Sequence, residues 1–276
     1  MQRRDPKASH SHRISLVAID LDHTLLRNDS TLSDRNIEAV QQAMGRGIEI
    51  VLISGRIPRT MRSVADMLHF KGYMVALGGA CILEPSTGHV IYRRKIKAGE
   101  ARKAVELIHQ FQLYLGFIVG DEWFVEEGGE AMEHVSRVVR CQPRLAELFV
   151  ETATEPDKIV VIDFSGSDNL ENFSKQAKVA LRSCTVAPSS WYAVDITSDQ
   201  ADKGKALAVI AQRLGVPREE IMAIGNDQND RSMLEYAGTS VAVDNAIPEL
   251  KAVADFIVGS NDDHGVAEAL YSLVLG

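Results

Sequence analysis

The feature that most constrains this chain is a short apolar run that ends in two carboxylates. Residues 14–19 are apolar except for one serine, and Asp20 and Asp22 close the run. Such a run is typical of a strand buried on both faces of a parallel sheet, where ligands bind beyond the carboxyl ends of the strands. Extended backbone would turn both carboxylates to one side, where they repel unless a cation lies between them or one is protonated. The pattern predicts a divalent-cation site, with Mg²⁺ preferred; the alternative is a solvated turn.

A second predicted strand, residues 48–53, ends in Ser54-Gly55-Arg56, and Pro58 follows at a suitable first position of a helix. A hydroxyl and backbone N–H groups at such a turn can bind a phosphate. A plain strand-to-helix turn is the alternative, because Ser-Gly is a common breaker. The position of this turn, one βα unit after Asp20, favours phosphate binding.

Two segments near the C-terminus place further polar groups at element ends. Lys203-Gly204 opens a predicted helix, where a lysine opposes the helix dipole. The predicted strand 221–224 ends in Gly225-Asn226-Asp227-Gln228-Asn229-Asp230. So many oxygen-bearing side chains in one place are costly unless they coordinate something. An Asx-rich turn that caps a helix is the alternative reading.

The order of predicted elements indicates an α/β fold with one insertion. Alternating strands and helices predict a Rossmann-like, doubly wound parallel-sheet core over 13–95 and 196–276. Between them, the mixed order of predicted helices and strands in 96–195 indicates an inserted α+β cap domain. We expect its two tryptophans, Trp123 and Trp191, in its core. Residues 1–12 are polar and basic, and we expect a disordered tail.

Bulk composition excludes several classes of function. The 276 residues carry a formal net charge of -8, which disfavours nucleic-acid and anionic-membrane partners. No stretch approaches the roughly 18 apolar residues of a membrane span. The three cysteines are far apart and form no metal or disulfide pattern, which predicts a reducing, cytoplasmic location.

Together the motifs resemble those of the haloacid dehalogenase superfamily. They are Asp20-Leu21-Asp22-His23-Thr24, Ser54-Gly55-Arg56, Lys203-Gly204 and the segment 225–230. The position of the insertion and the segment 262–270 are similar to the Cof-like branch with a C2B cap. The chain departs from the usual pattern in three places. His23 replaces a usual Gly, Gly78 stands where relatives often have Asn, and Asn226 replaces a usual Asp.

The resemblance implies a Mg²⁺-dependent phosphohydrolase acting on a small phosphorylated metabolite. Asp20 would be the nucleophile that forms an aspartyl-phosphate, and Asp22 the general acid and base. The implied phosphate-binding residues are Ser54, Gly55, Arg56, Lys203 and Asn229. The implied metal-site residues are Asp20, Asp22, Asn226, Asp227 and Asp230, with either Asn226 or Asp227 facing the metal.

Two other functions remain open at this stage. A phosphotransferase or phosphomutase would use the same groups with an alcohol in place of water. A non-catalytic phosphate-binding module is disfavoured by the presence of Asp20, Asp22 and Lys203. A dehalogenase is also disfavoured, because that chemistry does not need Asp22.

Overall fold

The computed structural model describes residues 2–3, 13–84, 87–129, 132–133, 135–136, 141–145, 155–166 and 168–276. Its strands are β1 Gln2–Arg3, β2 Leu16–Asp20, β3 Glu49–Ile53, β4 Tyr73–Ala76, β5 Cys81–Glu84, β6 His89–Arg93, β7 Tyr114–Val119, β8 Glu122–Val125, β9 Arg144–Leu145, β10 Lys158–Ile162, β11 Cys184–Ser190, β12 Ala193–Ser198, β13 Ile221–Gly225, β14 Thr239–Val243 and β15 Phe256–Val258. Its α-helices are α1 Asp34–Gly45, α2 Pro58–Met67, α3 Ala98–Gln110, α4 Asn169–Ala180, α5 Lys203–Leu214, α6 Arg231–Tyr236, α7 Pro248–Val253 and α8 Gly265–Leu270.

The chain divides into two compact units. The first contains Met1–Gly55, Met61–Ile91 and Asp202–Gly276, and the second contains Arg56–Thr60 and Tyr92–Ala201. The sequence predicted an insertion over 96–195, and it did not predict that Arg56–Thr60 would group with the inserted unit.

The first unit is built on a sheet with the strand order β1-β15-β14-β13-β2-β3-β4-β5-β6. The strands from β15 to β4 run parallel, whereas β5 is antiparallel to β4 and β1 is antiparallel to β15. β2, β13 and β14 are buried along their whole length, as apolar runs covered on both faces must be. The predicted α/β fold class, a Rossmann-like core, is confirmed.

The second unit has its own sheet, with the order β11-β12-β10-β7-β8-β9. All its pairings are antiparallel except that of β8 with β9. Residues of α3 and α4, such as Val105 and Phe173, pack with inward-facing residues of this sheet in a separate apolar core. Trp123 is buried in this unit, as predicted.

The expectation that Trp191 lies in a core is wrong. Its side chain is 73% exposed, in the turn between β11 and β12. It makes edge-on contacts with the rings of Phe164 and Tyr192, which stack on each other. Apolar character alone did not show that this position falls at a hairpin tip.

Most of the predicted tail, residues 1–12, lies outside the described residues. Gln2–Arg3 is an exception, because it forms a two-residue strand paired with Ile257 and Phe256. Within the predicted insertion, most of 131–140 also lies outside the described residues. Within the described ranges, no helix is long and apolar enough to cross a membrane.

Candidate active site

The parallel strands β2, β3 and β13 lie side by side and bring three of the motifs to one edge of the sheet. Asp20 is in register with Ile53, and Ile19 is in register with Ile224. Ser54 and Asn226 follow the ends of the two flanking strands, so their side chains arise next to Asp20. The sequence pattern placed polar residues at strand ends, and this register makes them neighbours.

Lys203 lies at the centre of a buried charged cluster. Its Nζ donates to Asp20 Oδ1 at 2.7 Å and to Asp230 Oδ1 at 2.6 Å, and all three side chains are at most 5% exposed. Nζ also lies 3.2 Å from Asn229 Oδ1. Lys203 is the first residue of α5, whose N-cap is Asp202. A lysine at this end of a helix opposes the macrodipole, and the two carboxylates offset that cost.

The cluster holds more negative than positive charge. Burial, helped by the carboxylate of Asp230, raises the pKa of Asp20 from 3.8 to about 7, although Lys203 opposes the shift. Burial by itself lowers the pKa of Lys203, but Asp20 and Asp230 outweigh it and raise that pKa above its ordinary value. A further cation near Asp20 would therefore favour its ionised form.

Asp22 lies two residues beyond the strand end, in the turn Leu21–Leu25, and is half-buried. Its Oδ2 accepts a hydrogen bond from Ser54 Oγ at 3.3 Å. Asp20 and Asp22 therefore differ in environment, since one is buried against a lysine and the other is bonded to a hydroxyl. Such a difference allows two neighbouring carboxyl groups to play different roles.

The Asn226 amide tests whether the site fits a metal ion. One terminal atom of this amide lies 3.0 Å from Thr24 Oγ1, 3.2 Å from Asp20 Oδ2 and 3.1 Å from the carbonyl oxygen of Asp22. If that atom is the nitrogen, it donates to the carboxylate and the carbonyl. If it is the oxygen, three oxygens face one another and need a cation between them. Adjacent ligands of octahedral Mg²⁺ lie about 3 Å apart, so this donor set fits Mg²⁺.

The other two acidic residues of this segment have different partners. Asp230 Oδ2 accepts the backbone N–H groups of Asn226 and Asp227 at 2.9 and 3.1 Å. The Asp227 carboxylate is exposed and caps the N–H of Gln228 at 2.7 Å. Within the described part of the chain, no three His, Cys, Asp or Glu side chains group to hold a metal. The Asn226 amide faces the Asp20 carboxylate, whereas the Asp227 carboxylate is bonded to Gln228 N–H. The metal site predicted from Asp20, Asp22, Asn226, Asp227 and Asp230 stays a prediction.

The remaining predicted phosphate-binding residues, Ser54, Gly55, Arg56 and Asn229, do not all belong to the same unit. Ser54 is buried directly after β3, and Asn229 reaches Lys203. Gly55 follows Ser54 in the first unit, with open space where a β-carbon would stand. Arg56 groups with the second unit, and its role in phosphate binding stays a prediction.

Close backbone approach explains two glycines next to the site. A β-carbon on Gly204 would lie 2.4 Å from the carbonyl oxygen of Ser232 in α6. A β-carbon on Gly79 would lie 2.4 Å from the backbone of Asp202, just before Lys203. From the sequence, Gly78 was notable only as a position where relatives often have Asn, whereas its neighbour Gly79 allows the close approach of the start of α5.

Sequence reasoning missed a set of amide and carboxylate side chains around the Leu21–Leu25 turn. Asn28, Asn245, Asn261 and Asp262 hydrogen-bond to this turn or to each other. The similarity of 262–270 to the Cof-like branch was the one available signal, and it did not indicate what the segment contacts.

Similarity to known proteins identifies the family of this chain. The family model of haloacid dehalogenase-like hydrolases matches residues 17–270. The chain belongs to this family. Among the relatives of this HAD-like hydrolase, Phosphatase YwpJ of Bacillus subtilis is 30% identical, with 95% of this chain and 100% of the relative covered. The 5-amino-6-(5-phospho-D-ribitylamino)uracil phosphatase YwtE of the same species is also 30% identical, with 94% and 98% covered.

Solved structures agree with this assignment. A haloacid dehalogenase-like hydrolase from Bacteroides thetaiotaomicron superimposes with a TM-score of 0.86 at 27% identity, with 94% of this chain and 99% of that chain covered. The chain is therefore a HAD-like phosphatase of the Cof-like branch, as its motifs predicted. The alternative of a non-catalytic binding module is set aside.

Proposed function

We propose that this HAD-like phosphatase releases phosphate from a small phosphorylated metabolite through an aspartyl-phosphate on Asp20. The observation that carries the proposal is the buried contact of Lys203 Nζ with Asp20 and Asp230, at 2.7 and 2.6 Å. An ammonium ion held there can offset the negative charge of an arriving phosphoryl group. The relative YwtE, named for a phosphorylated ribitylamino compound, supports a small metabolite as substrate.

In the first step, a carboxylate oxygen of Asp20 attacks phosphorus and the bond to the ester oxygen breaks. Asp22, held by Ser54 Oγ, gives its proton to the leaving alcohol. In the second step, the Asp22 carboxylate takes a proton from water, which attacks the same phosphorus. Asp20 is restored and inorganic phosphate leaves.

Three residues would hold the phosphoryl oxygens during both steps. Ser54 offers its hydroxyl, Gly55 its backbone N–H, and Lys203 its ammonium group. Preorganised donors of this kind lower the barrier because they need no rearrangement as charge moves in a loose transition state. Asn229 lies beside Lys203 Nζ and can take part in the same contacts.

Asp20, Asn226 and the Asp22 carbonyl would hold Mg²⁺. When bound, the ion reduces the repulsion between the Asp20 carboxylate and the phosphate dianion. Asp230 orients this end of the site indirectly, because it accepts the N–H of Asn226 and binds Lys203. We expect the enzyme to work in a reducing cytosol.

A panel of phosphate esters tests the function. It should contain p-nitrophenyl phosphate, hexose phosphates and 5-amino-6-(5-phospho-D-ribitylamino)uracil, each assayed with Mg²⁺, with EDTA and with Ca²⁺. We expect release of phosphate with Mg²⁺, loss of release with EDTA, and poor recovery with Ca²⁺, whose looser coordination misplaces the attacking carboxylate.

Asp20→Asn is the matched variant, since it keeps the size of the side chain and removes the attacking charge. Turnover should fall to near background, and acid-quenched wild-type enzyme should carry a phosphoryl group on the peptide that contains residue 20. Activity of the variant within about tenfold of wild type, a barrier change of about 1.4 kcal/mol, would exclude Asp20 as the nucleophile. Transfer of phosphate to an added sugar in preference to water would favour a phosphotransferase instead.

A further inference from the structure

The backbone directly after Asp22 has a conformation that a residue with a β-carbon rarely adopts. His23 has φ 58° and ψ 16°, in the left-handed region, and Asp22 before it is extended. This conformation costs a non-glycine residue about 1–2 kcal/mol. The peptide bond between Asp22 and His23 ties the backbone position of Asp22 to the conformation at His23. Other groups must hold the turn Leu21–Leu25, called the acidic loop below.

Asn245, which follows β14, holds the carbonyl of His23. Its Nδ2 donates to His23 O at 2.8 Å, and its Oδ1 accepts the backbone N–H of Asn261 at 2.9 Å. Both ends of the amide are therefore engaged, which defines its orientation. The carbonyl that it binds belongs to the residue next to Asp22.

Asn261 and Asp262 hold the far side of the acidic loop. Asn261 is 1% exposed, and its Nδ2 donates to Leu26 O at 3.0 Å and to Asn28 Oδ1 at 3.1 Å. The Asp262 carboxylate accepts both the backbone N–H and the side-chain Nδ2 of Asn28, at 3.1 and 2.6 Å. These bonds join segments that are more than 200 residues apart in the chain.

The same network holds the His23 side chain. The amide nitrogen of Asn28 is engaged by Asp262, so its Oδ1 faces His23 Nδ1 at 3.0 Å. An oxygen can only accept, and Nδ1 therefore carries the proton. The acidic loop is thus held at the His23 carbonyl and at the His23 ring, and directly after its end at the Leu26 carbonyl.

We propose that Asn245 and Asn261 are positioning residues that aim Asp22 for proton transfer to the leaving group. The inference rests on the proposed function and adds a role that none of the four motifs contains. A group that only stabilised the fold would affect all substrates alike. A group that aims the general acid matters most where the leaving alcohol needs a proton.

The test compares two esters in Asn245→Ala, a substitution at an exposed side chain. The esters are p-nitrophenyl phosphate, whose leaving group departs as a stable anion, and the best alkyl phosphate of the panel described above. We expect kcat on the alkyl ester to fall by about tenfold or more, a barrier change of about 1.4 kcal/mol. On the aryl ester the fall should be at most about threefold, with both KM values nearly unchanged.

Two further variants test whether the loss comes from the missing bond to His23 O or from the loss of any such side-chain bond. Asn245→Asp keeps the acceptor for Asn261 N–H but cannot donate to His23 O, so it should show the same selective loss. Asn169→Ala is the matched control, because its amide also donates to a backbone carbonyl, that of Phe111 at 2.9 Å in the second unit. It should leave the ratio of the two rates unchanged.

Equal losses on both esters in the two Asn245 variants, or no loss on either, would overturn the positioning role. A failure of the proposed function would look different. It would be seen in the wild-type enzyme, as absence of phosphate release from every ester of the panel, before any variant is compared.

Discussion

Asp20 combines two demands that conflict at the scale of one residue. As the proposed nucleophile it must be ionised to attack phosphorus, yet burial raises its pKa to about 7 in the metal-free protein. Its position beside Lys203 and Asn226 suits a reaction in which a cation and a phosphate arrive together. Burial of this carboxylate lowers the free energy of unfolding of the metal-free protein, as residues arranged for function often do.

This cost predicts that Asp20→Asn stabilises the metal-free protein at neutral and higher pH. The unfolded chain loses the Asp20 proton near pH 3.8, whereas the folded chain keeps it to about 7. The free energy of unfolding of the wild type therefore decreases as the pH rises through that window. The neutral amide does not titrate, and Lys203 keeps its bond to Asp230.

Thermal denaturation of metal-free protein at pH 4.5 and pH 8 is the measurement. At pH 8 we expect Asn at position 20 to raise Tm by about 2–4 °C or more, and at pH 4.5 the difference should shrink. Asp66→Asn, at an exposed carboxylate, is the control and should change Tm little at either pH. The prediction is contradicted if the Tm of the variant exceeds that of the wild type by no more at pH 8 than at pH 4.5.

A second residue-scale prediction concerns Asn226. In the metal-free protein its amide nitrogen can donate to Asp20 Oδ2 and to the Asp22 carbonyl, but a metal requires its oxygen to face them. Asn226→Asp adds a negative charge and removes the competing donor. Mg²⁺ affinity measured by calorimetry should rise by about tenfold or more, which is a change of about 1.4 kcal/mol.

The comparison variant for this metal site is Asp227→Asn. The Asp227 carboxylate is engaged as the cap of Gln228 N–H, so its loss should weaken Mg²⁺ binding less than Asn226→Ala does. The opposite ranking would make Asp227 the ligand.

At the scale of elements, the site depends on how closely α5 and α6 approach. The N–H of Gly204 donates to Ser232 Oγ at 3.1 Å, and there is no room for a β-carbon at this position. The Lys-Gly pair thus has a packing reason as well as a chemical one. The glycine lets α5 start close enough for Lys203 to reach Asp20 and Asp230.

Gly204→Ala should therefore destabilise the protein and reduce phosphatase activity. The added methyl would lie 2.4 Å from a backbone oxygen, and such overpacking typically costs about 1–3 kcal/mol. Gly99→Ala in α3 is the matched control. It meets no atom within 4 Å, so alanine should raise stability slightly through its higher helix propensity. Urea denaturation of both variants would show whether their effects have opposite signs.

At the scale of the whole molecule, the residues of the proposed chemistry lie in the first unit, with Arg56 as the exception. The second unit has its own sheet and its own apolar core. This separation predicts that reaction and substrate choice depend on different parts of the chain. Such inserted units commonly exclude water and select the leaving group.

A chain in which 92–201 is replaced by a short linker tests this division. We expect it to hydrolyse p-nitrophenyl phosphate at a reduced rate and to lose its preference among natural esters. Circular dichroism should first establish that the shortened protein is folded. A folded protein with the same substrate ranking as the full chain would mean that the first unit recognises the substrate.

Much of the fold could be predicted because its signals are local. The apolar runs at β2, β3 and β13 were identified to within two residues, since burial on both faces requires an unbroken run. Ser33, a residue type that favours helix N-caps, precedes α1, and its Oγ accepts the N–H of Asn36 at 3.2 Å. The position of Trp191 was not predictable in this way, because a hairpin tip and a core strand can contain the same aromatic residue.

The sequence alone determined the α/β class, the order of the motifs and the polar residue types at each strand end. Only the tertiary structure decided which of those groups meet. The pairing of Lys203 with Asp230, the contact of the Asn226 amide with Asp20, and the bonds of Asn245 and Asn261 at and beside the acidic loop all depend on it. The physical reason is that short polar side chains in loops follow no period. Their partners are chosen by the register of strands and the approach of helices far away in the chain.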